Sequence, residues 1–244
     1  MRINLTPAVK QIIIACVVLF LGSMLLRNSN IDLNTIFAAH YPNSPLFKPW
    51  QIVTHMFMHG SIAHLVFNML ALASLGSTLE NFLGTKKFVQ LYFIAGLGAL
   101  LVHFISQVVM LYLDFHIWLP AMSDFGITIN ADKIYANSNL ITTQEELRKV
   151  GSIFMGSVVG ASGAIYGVAV AFAFLFPNSE MMIMFIPYPI KAKYLIPGIL
   201  LLDIFLGFSN FESDPIAHFA HIGGAIFGFG LIYYWRKFDK NNFY

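Results

Sequence analysis

Several side chains able to do chemistry sit inside stretches that are otherwise apolar. His55, His59, His64 and Asn68 fall in one such stretch and His103 in the next. Ser162 lies in Gly160-Ala161-Ser162-Gly163, Asp203 in a later stretch, and His218 and His221 in the last, just ahead of Gly223, Gly224 and Gly228. A serine hydroxyl is a weak nucleophile until an adjacent base takes its proton. Histidine, which titrates near neutrality, suits that work. An attacked carbonyl becomes an oxyanion and needs fixed hydrogen-bond donors. The side chains of His64 and Asn68 can supply two, and the backbone N–H of Ser162 a third if a helix begins there, since the first N–H groups of a helix have no internal partner.

The same residue types admit other readings. His55 and His59 stand at i, i+4 on one helix face, a spacing that can bind a metal. The residues between them are Met56-Phe57-Met58, so the Glu of a His-Glu-x-x-His zinc protease is missing, and a structural hydrogen-bonded role is the better expectation. No metal and no cofactor are expected. His103 has no convergent partner and reads as a packing histidine, and His218, one turn before His221, as a residue facing the outer loop.

The elements that must position these groups follow from composition. Of 244 residues, 57% are hydrophobic and 11% charged, against about 25% charged in soluble domains, and the mean hydropathy is +0.70. Such a chain cannot cover itself with polar side chains in water. Its 24 Phe exclude a disordered chain. A net charge of +2 with no basic stripe excludes nucleic acid as a partner. The single cysteine, Cys16, excludes an intrachain disulfide and a cysteine-based zinc cluster. The expectation is an all-α, multi-pass membrane protein, one domain over residues 1–244, with the lipid bilayer as its surroundings.

A helix crosses a hydrocarbon core of about 30 Å with about 20 apolar residues. Six stretches qualify or come close: residues 7–26, 52–82, 88–113, 150–176, 194–208 and 216–235. The first has a basic start but no small-x-small cleavage site after it, so it reads as a retained helix. With six spans both termini share one side, which carries nine of the 14 basic residues against five opposite. The positive-inside rule then places both termini in the cytoplasm. Two outer loops result, Arg27 to Pro49 and the polar stretch 114–149, within which Thr143 to Val150 fits a short amphipathic helix. Met181 to Met184 with Pro187 and Pro189 fits an inner surface loop, and Gly207 to Asp214 a mobile cap over the outer side. No internal repeat supports a two-halves transporter.

Depth arithmetic selects the groups that meet. At 1.5 Å per residue, Ser162 lies roughly 21 Å above the inner end of its span at Phe176, His221 the same above Trp235, and Asn68 the same above Phe82. His64 is one turn nearer the outside, on the face of Asn68. Asp203 is tempting as a third acid, but nine residues above Tyr194 it comes out at roughly 13.5 Å, below the others, and reads as an interhelical hydrogen bond. Gly163-x-x-x-Gly167 and Gly224-x-x-x-Gly228 are small-xxx-small patterns that let helix backbones approach. Gly156 to Gly160 is glycine-rich enough for a non-helical loop leading into Ser162.

Three segments in this order, His55-Met-Phe-Met-His59-Gly-Ser-Ile-Ala-His64-Leu-Val-Phe-Asn68, Gly160-Ala-Ser162-Gly-Ala-Ile-Tyr166 and His221-Ile-Gly-Gly224, resemble the rhomboid intramembrane serine proteases. The similarity runs from about Trp50 to the end of the chain, with the first span fitting a six-helix core. It implies a Ser162–His221 dyad without a third acid and an oxyanion site from the Ser162 N–H, His64 and Asn68. It also implies that Tyr166 stacks near His221 and that Glu80 sits in a structural network at the inner end of the second span. The sequence departs from the family at Trp50-Gln51, where many members have Trp-Arg, which puts the anchoring of the first outer loop in doubt. The insert before the fourth span is also longer than a minimal core needs.

Together these expectations describe an intramembrane serine endopeptidase acting on transmembrane protein substrates. Ser162 and His221 would be catalytic, with Tyr166, Gly163, Gly224 and Gly228 supporting them. The expected site opens to the outer side of a bacterial cytoplasmic membrane, and nothing in the sequence fixes an oligomeric state. The alternatives are an inactive relative that binds transmembrane clients and a small-solute channel using the buried histidines as a relay.

Overall fold

The computed structural model describes residues 4–29, 31–130, 133–136, 139–182, 188–208 and 218–238. Helix α1 spans Pro7–Leu26, α2 Leu33–Phe37, α3 Gln51–Thr54, α4 Ile62–Ala71 and α5 Ser77–Leu83. Then follow α6 Thr85–Phe115, α7 Gln144–Met155, α8 Ser162–Leu175, α9 Ala192–Phe208 and α10 His218–Phe238. Among the described residues three continuous helical stretches, Pro7–Leu26, Ile62–Leu83 and Thr85–Phe115, are long and apolar enough to cross a membrane. The core is formed by α6, α8 and α10 packed on one another, with α1 and α5 along one side.

The chain is mostly helical rather than all-α. Among the described residues two short antiparallel ladders occur, β1 Ile127–Asn130 with β2 Lys133–Ala136 between α6 and α7, and β3 Glu180–Met181 with β4 Ile190–Lys191 between α8 and α9. The polarity of residues 114–149 hides the first ladder in sequence, because its alternation lasts only four residues per strand. A second, smaller core joins this segment to the end of α6, to α7 and to the stretch before α3, with Tyr41, Phe125 and Phe154 packing against Leu111 and Val150.

Two expected spans are broken. The stretch 52–82 does not run as one helix: α3 ends at Thr54, a 3-10 turn covers His55–Phe57, and Met58 is extended. Ser61 restarts the chain as α4 by accepting a hydrogen bond from the His64 N–H at 3.1 Å, and a wide π-helical stretch, Leu72–Gly76, joins α4 to α5. The stretch 150–176 divides between α7 and α8, with Gly156–Ala161 non-helical as its glycines suggest. The amphipathic helix expected at Thr143 to Val150 is the start of α7, capped by reciprocal bonds between Thr143 and Glu146, and it continues to Met155. Residues 183–187 of the inner loop and 209–217 of the cap loop lie outside the described residues.

Glu80 fastens α1 to the rest. Its carboxylate accepts the backbone N–H groups of Ala8 and Val9, each at 3.0 Å, and the hydroxyls of Thr6 and Thr85. Pro7 opens α1, so Ala8 and Val9 belong to the first turn, whose N–H groups have no partner in their own helix and favour a negative charge. Glu80→Ala should therefore lower the stability of the detergent-solubilised chain by about 1.5–3 kcal/mol, the range of hydrogen bonds to a charged group. A thermal unfolding midpoint equal to wild type would remove this role.

Candidate active site

Ser162 is the first residue of α8, so its N–H has no acceptor within the helix and its side chain sits where the chain emerges from the non-helical segment. That segment is stapled to the stretch between α2 and α3. Ala39 and Val158 exchange backbone hydrogen bonds at 3.0 and 2.8 Å, His40 Nδ1 pairs with the Gly156 carbonyl at 2.9 Å, and the Gly160 N–H donates to the His55 carbonyl at 3.0 Å. Gly160 has φ +121°, and a Cβ there would fall 2.7 Å from the His64 ring and 3.6 Å from Ser162 Oγ. Only glycine fits that conformation and that gap.

The loop itself is held by Gln51, which is fully buried. Its Oε1 accepts the Lys48 N–H at 3.0 Å, and its Nε2 donates to the carbonyls of Thr35 and Leu46, both at 3.1 Å. The doubt raised by the missing family arginine is thus resolved: a neutral amide reaches both sides of the loop.

His221 stands opposite Ser162 on α10, with Nε2 3.0 Å from Oγ. The Tyr166 ring stacks on the imidazole at 4.1 Å between centroids and 6° between planes. The approach of α8 and α10 depends on glycine pairs: a Cβ on Gly224 would lie 1.9 Å from the Gly163 carbonyl oxygen, and one on Gly228 2.5 Å from Gly167 Cα. His64 and Asn68 line the same cavity of about 790 Å³ as Ser162 and His221. Asn68 is 7% exposed, and its Nδ2 has no hydrogen-bond partner among the described residues, so its N–H groups are free to donate. The cavity thus holds a hydroxyl on a ring nitrogen, with unengaged donors beside it. His103 lines it as well, without a partner for either ring nitrogen among the described residues.

Three expectations need correction. His55 and His59 do not share a helix face, because α3 ends at Thr54 and the chain passes through a 3-10 turn to an extended Met58; their Nδ1 atoms pair instead with the Gln51 carbonyl at 3.0 Å and the Phe57 carbonyl at 3.3 Å. Asp203 does not lie below the Ser–His pair. Its Oδ1 is 3.3 Å from His221 Nδ1 and 2.8 Å from His218 Nδ1, and all three side chains are buried. His218 accordingly points at α9 rather than at the outer loop.

The height estimate failed because Tyr194 does not mark the base of α9. The Ala192 N–H bonds the Ser179 carbonyl at 2.9 Å and the Lys193 N–H the Pro177 carbonyl at 3.1 Å, so α9 starts level with the end of α8. From those ends Asp203 and Ser162 rise to within about 3 Å of each other. The signal available in sequence was a lone acid in an apolar helix, where an unpaired charge is costly. Asp203, His218 and His221 also form a group whose potential metal-ligand atoms lie within 4.8 Å of one another. Both Nδ1 atoms are directed at the carboxylate oxygen, which is hydrogen-bond geometry.

Residues 47–238 match the family model of the Rhomboid domain. The chain is 29% identical over 198 residues to a mitochondrial rhomboid protein of Schizosaccharomyces pombe, covering 73% of this chain and 48% of that protein. It is 29% identical over 109 residues to rhomboid-like protease 3 of Toxoplasma gondii, covering 43% and 41% respectively. Against the mitochondrial presenilin-associated rhomboid-like protein of Mus musculus it is 27% identical over 210 residues, covering 84% and 43%. The chain spans less than half the length of these relatives. Two of the three carry mitochondrial names, which gives no support to the bacterial membrane expected from sequence.

Proposed function

The chain belongs to the rhomboid family of membrane proteins, and on that footing we propose that it is an intramembrane serine endopeptidase cutting peptide bonds in or near transmembrane segments of other proteins. The observation that carries the proposal is the 3.0 Å contact between Ser162 Oγ and His221 Nε2 at the wall of a cavity that His64 and Asn68 also line. In this reading Nε2 takes the Oγ proton as the oxygen attacks the carbonyl carbon of the scissile bond. The resulting oxyanion is met by the Ser162 N–H, His64 and Asn68. His221 returns the proton to the departing amine nitrogen, and water then cleaves the ester on Ser162 by the same steps in reverse order. Tyr166 holds the plane of the imidazole, and Gly163, Gly224 and Gly228 allow the helices to bring the pair together.

The proposed topology has six crossings, α1, α4 with α5, α6, α8, α9 and α10, with both termini on the side richer in basic residues. Ser162 begins α8, His221 lies in the first turn of α10, and Asn68 lies in α4 above the π stretch, so the site would open toward the opposite, outer side. Substrates would arrive laterally from lipid, and water from that outer side. Helical backbone carbonyls are engaged in hydrogen bonds, so segments with helix-breaking residues near the cut are favoured.

Labelling with a fluorophosphonate tests the function, since an activated serine reacts and a passive one does not. The wild-type chain should label and should cleave a fluorogenic transmembrane peptide. A folded wild-type chain that does neither would defeat the proposal.

The oxyanion assignment has its own expected outcome. Asn68→Ala removes one donor and leaves the nucleophile and base in place, so kcat should fall by about 10²–10³ with measurable activity remaining. KM should change less than kcat, because the oxyanion exists only near the transition state. A folded variant with kcat unchanged would remove Asn68 from the oxyanion site.

A further inference from the structure

A histidine that accepts a proton at Nε2 must carry its own proton on Nδ1, and something must hold it in that tautomer. Stacking on Tyr166 fixes the plane of the His221 ring but leaves it free to turn within that plane. The remaining constraint comes from α9. Asp203 is the only acid in Ala192–Phe208, is 6% exposed, and accepts at Oδ1 from both His221 Nδ1 and His218 Nδ1. A carboxylate in an apolar helix is retained only with partners, and here one of them is the ring that contacts the serine.

We infer that Asp203 is a positioning residue for His221, so that the site is a Ser162–His221–Asp203 relay built across α8, α10 and α9. The Nδ1–H bond to Asp203 leaves the lone pair of Nε2 directed at Ser162 Oγ. As the proton moves from Oγ to Nε2, the imidazolium faces a carboxylate, which stays ionised throughout. The 3.3 Å separation is at the long end for an N–H···O bond. Such bonds tighten when substrate engages the base. The inference rests on the assignment of Ser162 and His221 in the proposed function and departs from the two-residue arrangement implied by resemblance.

The competing reading is that Asp203 serves only to tie α9 to α10 through the shorter bond to His218. Two substitutions separate them. Asp203→Asn keeps the shape and hydrogen-bonding capacity but not the charge, while His218→Gln removes the other histidine on Oδ1 and leaves the bonds of Asp203 to His221 and to the Tyr166 hydroxyl in place. In the full chain in lipid vesicles, measured with a fluorophosphonate and a fluorogenic transmembrane peptide, Asp203→Asn should lower kcat by about 10²–10⁴. KM should be unchanged, and the labelling rate should fall in parallel. His218→Gln should leave kcat near wild type. Asp203→Leu, a nonpolar replacement of similar size, is made alongside in case the amide unfolds the chain, and the same split between kcat and KM is expected of it. Asp203→Asn or a folded Asp203→Leu with wild-type kcat, or His218→Gln losing as much as Asp203→Asn, would overturn the role. A wild-type chain that neither labels nor cleaves defeats the Ser162 and His221 assignment first, and the relay with it.

Discussion

Ser162→Ala should leave a folded chain that no longer cleaves a transmembrane peptide and no longer takes up a fluorophosphonate. The hydroxyl contacts His221 Nε2 and begins a helix whose packing is made by Gly163, Ala164 and Gly167, so its removal costs little stability. The catalytic loss is of another order. Removing a nucleophile or its base from a unit that works together lowers kcat by about 10⁶. His221→Ala should fall to the same floor, and the double variant no lower, because either change dismantles the same step. The thermal midpoint of Ser162→Ala should match wild type within error. Labelling at the wild-type rate in this variant would place the reactive group elsewhere.

Gly224→Ala should be nearly as damaging by a different route. The added methyl would sit 1.9 Å from the Gly163 carbonyl oxygen and 2.7 Å from its carbon, both backbone atoms that no rotamer can move. Helix α10 must withdraw from α8 at a point one residue from Ser162 and three from His221. Overpacking of this kind costs about 1–3 kcal/mol. A displacement of about 1 Å between reacting groups costs about 10² in rate, so activity should fall by at least that factor. Gly230 provides the internal control: it lies in the same helix with nothing within 4 Å of its added Cβ. Gly230→Ala should be neutral or stabilising by up to about 1 kcal/mol, the helix preference of alanine over glycine. Equal behaviour of the two variants in thermal unfolding and peptide cleavage would refute the close-approach argument.

What was legible in the sequence was depth. Counting from span ends brings Ser162, His221, Asn68 and His64 to one level without any tertiary information, and the four line one cavity although the span of Asn68 and His64 contains a π-helical stretch. Residues on helices that start or wind irregularly are misplaced by such counting. Asp203 was set too low because backbone bonds from Ala192 and Lys193 to Ser179 and Pro177, residues far off in sequence, fix the foot of α9. Placing His55 and His59 on one face overlooks Gly60-Ser61, a turn residue followed by an N-cap serine, which marks a fresh helix start before Ile62 and is realised in the Ser61 bond to the His64 N–H. The role of Gln51 could not be read either. A buried amide with partners at Thr35, Leu46 and Lys48 looks in sequence like any polar residue beside a tryptophan.

The π-helical stretch Leu72–Gly76 acts on the site as a gear offset. A wide turn accommodates one residue more than an α-helical turn, and each residue is worth about 100° of rotation. Everything on its outer side, Asn68 and His64 included, is therefore phased differently from everything on its inner side, where Glu80 is clamped to the first turn of α1. The clamp sets the angular zero, and the wide turn sets how far from that zero the two donors point. Two fixed requirements, a carboxylate facing α1 and an amide facing α8, are met on one helical rod that regular winding would leave out of step by about a quarter turn. The offset lets the anchoring end and the working end of the same span be constrained separately, so that substitutions accepted at one need not turn the side chains at the other.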